Sequence, residues 1–202
     1  MPSLLARLLG DDEPDEQVDL ERRQSAADTA LSTRVDPAGY GIIDAGVTGV
    51  AVVNEGPEGE PIVVPIARFA LGEDVESPDA DLVWELVGDA VRALYDPFED
   101  VFVRHYDVQF TFDGDELFEA EQCRRVAVSR ALAARTATEP TFGTADLREA
   151  MFEAHDIDDG VAPVAWGQPR DYAEDATSAV VTTAAAGATA ASCAGAGAGG
   201  CY

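Results

Sequence analysis

One strongly amphipathic segment, residues 79–95, separates two β-rich parts of the chain. Its apolar positions recur at the spacing of one face of an α-helix, and they are Leu82, Val83, Leu86, Val87, Ala90, Val91 and Leu94. The sequence Ser77-Pro78-Asp79 is a helix start signal, and Pro97 cannot continue a helix. We therefore predict a helix with strands on both sides, which limits the chain to an arrangement that combines helices with a sheet.

The first β-rich part contains two runs of β-branched and small apolar residues between turn sequences. We expect strands at about residues 47–53 and 62–69, joined as a hairpin. Pro61 and Pro65 each lack a backbone N–H donor, and prolines within sheets are found at edges or bulges. The second strand is therefore expected at an edge of the sheet or at a bulge.

A second hairpin is predicted within residues 101–128, with its turn at Gly114. In the expected register Phe112 pairs with Glu116, because this pairing collects apolar side chains on one face. The residues of that buried face are expected to be Phe102, Val108, Phe110, Phe118 and Val126. The opposite face of the hairpin is expected to be in contact with water.

These segments predict an α+β fold with an antiparallel sheet of about four strands from two hairpins, in the order ββαββα, and helices packed on one face. This single domain would comprise residues 36–167. Residues 1–35 form an acidic arm with a helix at about residues 16–33. Residues 168–202 form a low-complexity Ala/Gly tail, for which we expect disorder.

Two shorter helices are expected after the second hairpin. The first follows Val128, and the second extends over about residues 144–155 with Thr144 as its N-cap. In this second helix we expect Leu147, Met151 and Phe152 to face the core.

The charge of the chain is unusual in both size and composition. The net charge is -26, and all 13 cationic side chains are arginine. Asp and Glu retain water and cations where concentrated salt screens charge within about 3 Å at 1 M. The composition resembles that of proteins from salt-in halophilic archaea, which implies that the acidity is a solubility property. Nucleic acid is not favoured as a partner, because phosphate binding weakens steeply with salt. We expect a protein partner, either another protein or a second copy of this chain.

Segments that would direct the chain to a membrane or out of the cell are not recognisable. Residues 1–9 are apolar, but an acidic run follows at once and no small-residue cleavage site is present. The uncharged tail contains mainly alanine and glycine, which do not drive membrane insertion. We therefore expect no membrane span and a cytoplasmic location. Of three cysteines, Cys193 and Cys201 lie in the tail, so no disulfide framework is predicted for the domain.

One candidate site lies on the outer face of the second hairpin. The expected register places His105 and Asp107 on one strand opposite Cys123 and Glu121 on the other. Imidazole, thiolate and carboxylate are good ligands for zinc and similar ions. His105, Asp107, Glu121 and Cys123 are therefore a candidate set for a divalent metal cofactor. The alternative is a solvated sheet face, which collects carboxylates in any acidic protein.

A second candidate site is a cationic stretch without acidic residues. It contains Arg124, Arg125, Arg130 and Arg135. Guanidinium groups bind phosphate or carboxylate through paired hydrogen bonds, so these arginines are a candidate anion site. The alternative is internal pairing with the many acidic side chains of the chain.

The chain has no recognisable catalytic signature, since it lacks phosphate-binding glycine loops, a nucleophile elbow and metalloprotease motifs. We therefore predict no catalytic residues and an interaction or regulatory module. One alternative is a metal-dependent or nucleic-acid-processing enzyme that uses His105, Asp107 and Glu121. A second alternative rests on the tail: an acidic leader before a Gly/Ala segment with Ser, Thr and Cys resembles precursors of ribosomally made modified peptides, which implies a peptide core in the tail.

Overall fold

The computed structural model describes residues 13–72, 74–75, 77–112, 122–154, 161–167 and 180–181. The helices are α1 (Glu13–Arg34), α2 (Pro37–Tyr40), α3 (Ala80–Tyr95), α4 (Arg130–Thr138) and α5 (Thr144–Glu153), and a 3-10 turn spans Asp96–Phe98. The strands are β1 (Asp44–Glu55), β2 (Pro61–Gly72), β3 (Phe102–Val103), β4 (His105–Phe112), β5 (Gln122–Ser129), β6 (Val164–Gly167) and β7 (Val180–Val181).

The strands form one mixed sheet. Six of them lie side by side in the order β6-β5-β4-β2-β1-β7, and β3 pairs with β2. The pairs β1–β2, β1–β7, β4–β5 and β5–β6 are antiparallel, whereas β3 and β4 both run parallel to β2. The α+β class is confirmed, whereas the antiparallel sheet of four strands is wrong. The cause is α3, which crosses over the sheet after β2 and returns the chain in the same direction.

Helix α3 is the element that the apolar periodicity predicts best. The carboxylate of Asp79 accepts hydrogen bonds from the backbone N–H groups of Asp81 and Leu82, at 3.0 and 2.9 Å. These bonds satisfy donors that the first turn of a helix leaves without partners. Its inner face contributes Leu86, Val87 and other side chains to the main core.

Of the two expectations for the second strand, an edge or a bulge, the edge is wrong, because β2 lies between β1 and β4, while the β1–β2 pairing does contain two register shifts. On the side away from β1, its partner changes from β3 to β4. Pro65 lies between the pairs Val63–Val103 and Ile66–Asp107, at this change of partner. An interruption of the ladder tolerates a residue without a backbone donor, which explains how a central strand contains this proline.

The second hairpin exists, but its register differs from the expected one. Phe112 pairs with Gln122 rather than with Glu116, a shift that places β5 later in the chain and gives a longer connection. The observed register sets Val126 opposite Val108, and a cross-strand pair of β-branched residues favours this register. The predicted turn at Gly114 lies outside the described residues.

The shift is an even number of residues, so each side chain stays on its predicted face of the hairpin. Val108, Phe110 and Val126 are buried as expected. Phe102 belongs to β3 and is 53% exposed, so its predicted place in the buried face is wrong. Phe118 lies outside the described residues.

The main core lies between one face of the sheet and the helices. The rings of Phe69 in β2 and Phe110 in β4 stack there at 5.4 Å between centroids. Helix α1 contributes Leu20, Ala27 and Leu31 to the same core and packs against β1 and α3. The helix expected at residues 16–33 is therefore present and docked.

At the C-terminal end, β6 pairs with β5 and β7 pairs with β1. The disorder expected for residues 168–202 falls outside the described residues, apart from β7, in which Val181 lies opposite Val50. The division of the chain into arm, domain and tail stays a prediction.

Candidate functional site

The sheet face opposite the main core contains a hydrogen-bonded polar network that extends over three strands. Arg68 in β2 donates hydrogen bonds from Nε and Nη2 to Oε1 of Gln109, at 3.1 and 2.8 Å. Gln109 in β4 donates from Nε2 to Oδ2 of Asp107 at 2.8 Å. Arg125 in β5 donates from Nε to Oδ1 of Asp107 at 3.1 Å, and its Nη2 lies 3.5 Å from Nε2 of His105. Both carboxylate oxygens of Asp107 thus accept hydrogen bonds from neighbouring side chains.

This face is not solvated, and the expectation of a water-facing hairpin surface is wrong. His105 and Asp107 are 0% exposed, and Gln109 is 1% exposed. Alternation along a strand identifies a polar face but not whether water or protein covers it. The guanidinium of Arg125 compensates the carboxylate of Asp107, which allows both charges to be buried.

The residues of the metal hypothesis are only partly described. Asp107 lies opposite Ala127 rather than opposite Glu121, and Glu121 lies outside the described residues. Cys123 is buried on the same face but pairs with Thr111 instead of His105. Within the described ranges, no three His, Cys, Asp or Glu side chains come together as they would around a metal ion. The metal set as a whole stays a prediction.

The first two arginines of the cationic stretch lie on opposite faces of β5. Arg125 belongs to the polar network described above. Arg124 lies on the face of the main core, with its Cζ 4.9 Å from the centroid of the Phe112 ring, and burial lowers the pKa of its guanidinium. These two arginines therefore contact different surroundings on the two sides of the sheet.

The other two arginines of the stretch lie on α4. Arg130 donates from Nη2 to the carbonyl oxygen of Glu99 at 2.9 Å. Arg135 pairs with Glu139 at 3.5 Å, and its Cζ lies 4.0 Å above the Phe142 ring. Each arginine of the stretch thus has a contact within the protein, and the anion-binding role stays a prediction.

A concave surface lies elsewhere in the described part of the fold. An open groove of about 470 Å³ lies between α3 and α5. Its lining includes the aromatic rings of Trp84 and Phe152. Trp84 is almost fully buried, whereas Phe152 is 67% exposed, and their ring centroids are 5.7 Å apart. The volume is within the usual range for ligand sites, about 300–1,000 Å³.

The expectation that Phe152 faces the core is wrong. Leu147 and Met151, which are four residues apart on α5, occupy the inward stripe and are buried. The next residue on a helix points about 100° away, so Phe152 lies at the side of that stripe. A short helix with one inward stripe does not bury a third large apolar residue at this position. This surplus residue was the sequence signal for an exposed aromatic side chain.

A close approach of the two helices positions α5 beside α3. A Cβ atom on Gly88 of α3 would lie 3.0 Å from Oγ1 of Thr144, the first residue of α5. The helix itself begins after Gly143, whose backbone N–H donates to Oδ2 of Asp146 at 2.8 Å. A Cβ atom at position 88 would require the Thr144 hydroxyl to move by a few tenths of an ångström, so glycine here allows α5 to begin close to α3.

The rim of the groove is mostly acidic. Nη1 of Arg148 on α5 lies 3.0 Å from Oδ1 of Asp81 on α3, so one ion pair crosses the groove. Glu85 and Glu149 also line it, and in the described part of the chain neither carboxylate forms an ion pair. The groove therefore presents an aromatic surface with an excess of negative charge.

The chain matches no protein-family model, and no curated protein or solved structure is significantly similar to it. Among the helices of the described residues, none has the length and apolar character needed to cross a membrane.

Proposed function

We propose that the protein is a non-catalytic interaction module that binds a cationic segment of a partner protein in the groove between α3 and α5. One observation carries this proposal: the large aromatic side chain of Phe152 is 67% exposed beside a groove that also contains Trp84. Exposed aromatic surface in a concave site is typical of binding sites, because covering it removes apolar area from water.

The charge of the groove supports a cationic partner. Glu85 and Glu149 contribute negative charge from the two helices, and Asp81 adds a third carboxylate that Arg148 neutralises. A second copy of this chain would bring a further -26 to the contact, so self-association is opposed by charge. A basic partner segment with apolar side chains complements both the rim and the aromatic surface.

The polar network on the sheet supports a structural role for His105 and Asp107, two residues of the metal hypothesis. The carboxylate of Asp107 accepts bonds from Arg125 and Gln109, which are contacts that hold a buried charge in place. The metal-dependent enzyme and the peptide precursor stay untested hypotheses. From the charge composition we also infer a cytoplasmic location in a salt-rich cell.

The proposal is tested with a short capped peptide in which arginine and leucine alternate with alanine. We expect this peptide to shift the NMR signals of the Trp84 indole and of α5 in the full chain. Phe152→Ser should weaken binding about tenfold or more, since an anchoring aromatic residue contributes at least about 1.4 kcal/mol.

Phe102→Ser is the matched control, because Phe102 is also exposed but lies in β3, outside the groove. It should bind the peptide as the wild type does. Equal loss in both variants, or signal shifts confined to other surfaces, would refute the groove as the binding site.

A further inference from the structure

We propose, on the basis of the proposed function, that the group recognised in the groove is a guanidinium, so that the partner's anchor is an arginine rather than a lysine. The arginine would lie against Phe152 and between the carboxylates of Glu85 and Glu149. Two features of the described residues support this assignment: an internal example of the same contact, and two carboxylates of the groove lining that form no ion pair there.

The internal example is Arg148. Its Cζ lies 6.0 Å from the centroid of Phe152, while its Nη1 pairs with Oδ1 of Asp81 at 3.0 Å. One guanidinium therefore already combines this ring with a carboxylate from the opposite helix. A cation above an aromatic face is attracted by the ring quadrupole, and arginine is the residue that does this most often.

The groove lining also contains two further carboxylates, one on each helix. Glu85 belongs to α3 and Glu149 to α5, so they approach the groove from opposite sides. Neither forms an ion pair within the described residues, unlike Asp81. A guanidinium carries five N–H donors in a planar fork, so it can bind carboxylates on two sides while its face covers a ring.

The concentrated salt that we infer from the acidity of the chain favours arginine over lysine as the anchor. An ammonium group is a strongly hydrated point charge, and its attraction to a surface carboxylate is screened by concentrated salt. A guanidinium is more weakly hydrated and stacks on aromatic rings, so part of its binding energy does not depend on charge. Recognition through Phe152 would therefore persist at salt concentrations that screen purely ionic contacts.

The test compares three capped peptides that differ only at the cationic positions, which contain arginine, lysine or the uncharged isostere citrulline. Binding to the full chain is measured by NMR titration at about 0.2 M and about 2 M KCl, which differ in screening length. We expect the lysine and citrulline peptides to bind about tenfold more weakly than the arginine peptide at both concentrations.

The double substitution Glu85→Gln and Glu149→Gln should remove most of the preference for arginine. The matched control is Glu58→Gln with Glu153→Gln, which makes the same change in charge at two exposed carboxylates outside the groove lining. This control should keep the preference.

The outcomes separate the two proposals. Equal binding of the arginine and lysine peptides, with the loss in Phe152→Ser retained, would overturn the arginine assignment and leave the groove as a general cationic site. Preference for arginine that survives in the double Gln variant would also overturn it. Absence of binding by all three peptides would overturn both proposals.

Discussion

The guanidinium Nε of Arg125 lies 3.1 Å from Oδ1 of Asp107, and the side chain of Asp107 is fully buried. Two charges are thus held together inside the protein, on the sheet face that the hairpin pattern assigns to water. Removing one member of such a pair leaves the other as an uncompensated buried charge. The pair therefore provides a sharp test of whether this face is structural.

Asp107→Asn should lower the free energy of unfolding by about 3–5 kcal/mol, because it removes the buried carboxylate that pairs with the guanidinium of Arg125. Urea denaturation of both proteins measures this difference. The control is Glu139→Gln, which breaks the half-exposed pair with Arg135 and should cost no more than about 1 kcal/mol. A cost below 1 kcal/mol for Asp107→Asn would show that water reaches this face.

Urea denaturation of the wild-type protein with and without a chelator tests the metal hypothesis. The observed contacts of Asp107 predict an unchanged midpoint for the wild-type protein. A lowered midpoint with a chelator, together with metal in the purified protein, would instead favour a metal ion that stabilises the fold.

The core of the second hairpin gives a second prediction. Phe110 is buried and stacks on Phe69, so Phe110→Ala should destabilise the protein by about 3–5 kcal/mol through lost transfer energy and the cavity left behind. Phe102→Ala is the matched control, because this side chain is half-exposed and should cost much less. Equal effects of the two substitutions in thermal melts would contradict the assignment of faces.

Local signals in the sequence were sufficient for the elements whose partners are near in the chain. The periodicity and capping residue of α3 predict its bounds, and the β1–β2 hairpin follows from its turn. The register of β4 with β5 was missed because the sequence at Gly114 indicates a tight turn, whereas the pairing that forms sets Val108 opposite Val126, further along the chain. The parallel pairing of β2 with β4 depends on where α3 packs, which no local pattern encodes.

The same distinction applies to the candidate sites. Sequence alternation correctly placed His105, Asp107 and Cys123 on one face, but burial of that face depends on the rest of the fold. The groove was missed because Trp84 and Phe152 are distant in the chain, and their contact arises from the packing of α5 on α3.

Tyr106 allows a third prediction. Its side chain is fully buried, its hydroxyl has no hydrogen-bond partner among the described residues, and burial raises its pKa. Tyr106→Phe should therefore leave stability unchanged or raise it by about 1 kcal/mol, because an unsatisfied hydroxyl is removed. Tyr40→Phe is the control: this hydroxyl donates to Oδ2 of Asp89 at 2.9 Å, and its loss should cost about 1 kcal/mol. Marked destabilisation by Tyr106→Phe in urea melts would reveal a bound water at the hydroxyl.

A fourth prediction concerns the acid side of the stability profile. Arg23 on α1 pairs with Asp19 and Asp100 and donates to the carbonyl oxygen of Pro97 at 2.8 Å. Hydrogen bonds from Arg23 lower the pKa of both carboxyls. Their contribution to stability is therefore complete above the ordinary Asp pKa of about 3.9 and is lost as the pH falls through the lower folded values.

The urea midpoint of Arg23→Gln should accordingly lie below that of the wild type near neutral pH, and the difference should shrink below about pH 4. Arg22→Gln is the matched control, because Arg22 is 77% exposed and pairs only with Asp19 among the described residues. This control should change the midpoint little. A difference for Arg23→Gln that stays constant down to pH 2 would show that the carboxyls do not contribute.

The last prediction follows from the net charge of -26. Like charges repel one another more in the compact state than in the expanded unfolded chain, so low ionic strength should destabilise the fold. We expect the thermal midpoint to rise between about 0.1 M and about 2 M KCl, as the screening length falls from about 10 Å to a few ångströms. Sucrose is the control, because it stabilises by exclusion from the protein surface without screening charge. A midpoint that stays constant in KCl, or that rises only as much as in sucrose of equal osmolality, would contradict the interpretation of the acidic surface as an adaptation to salt.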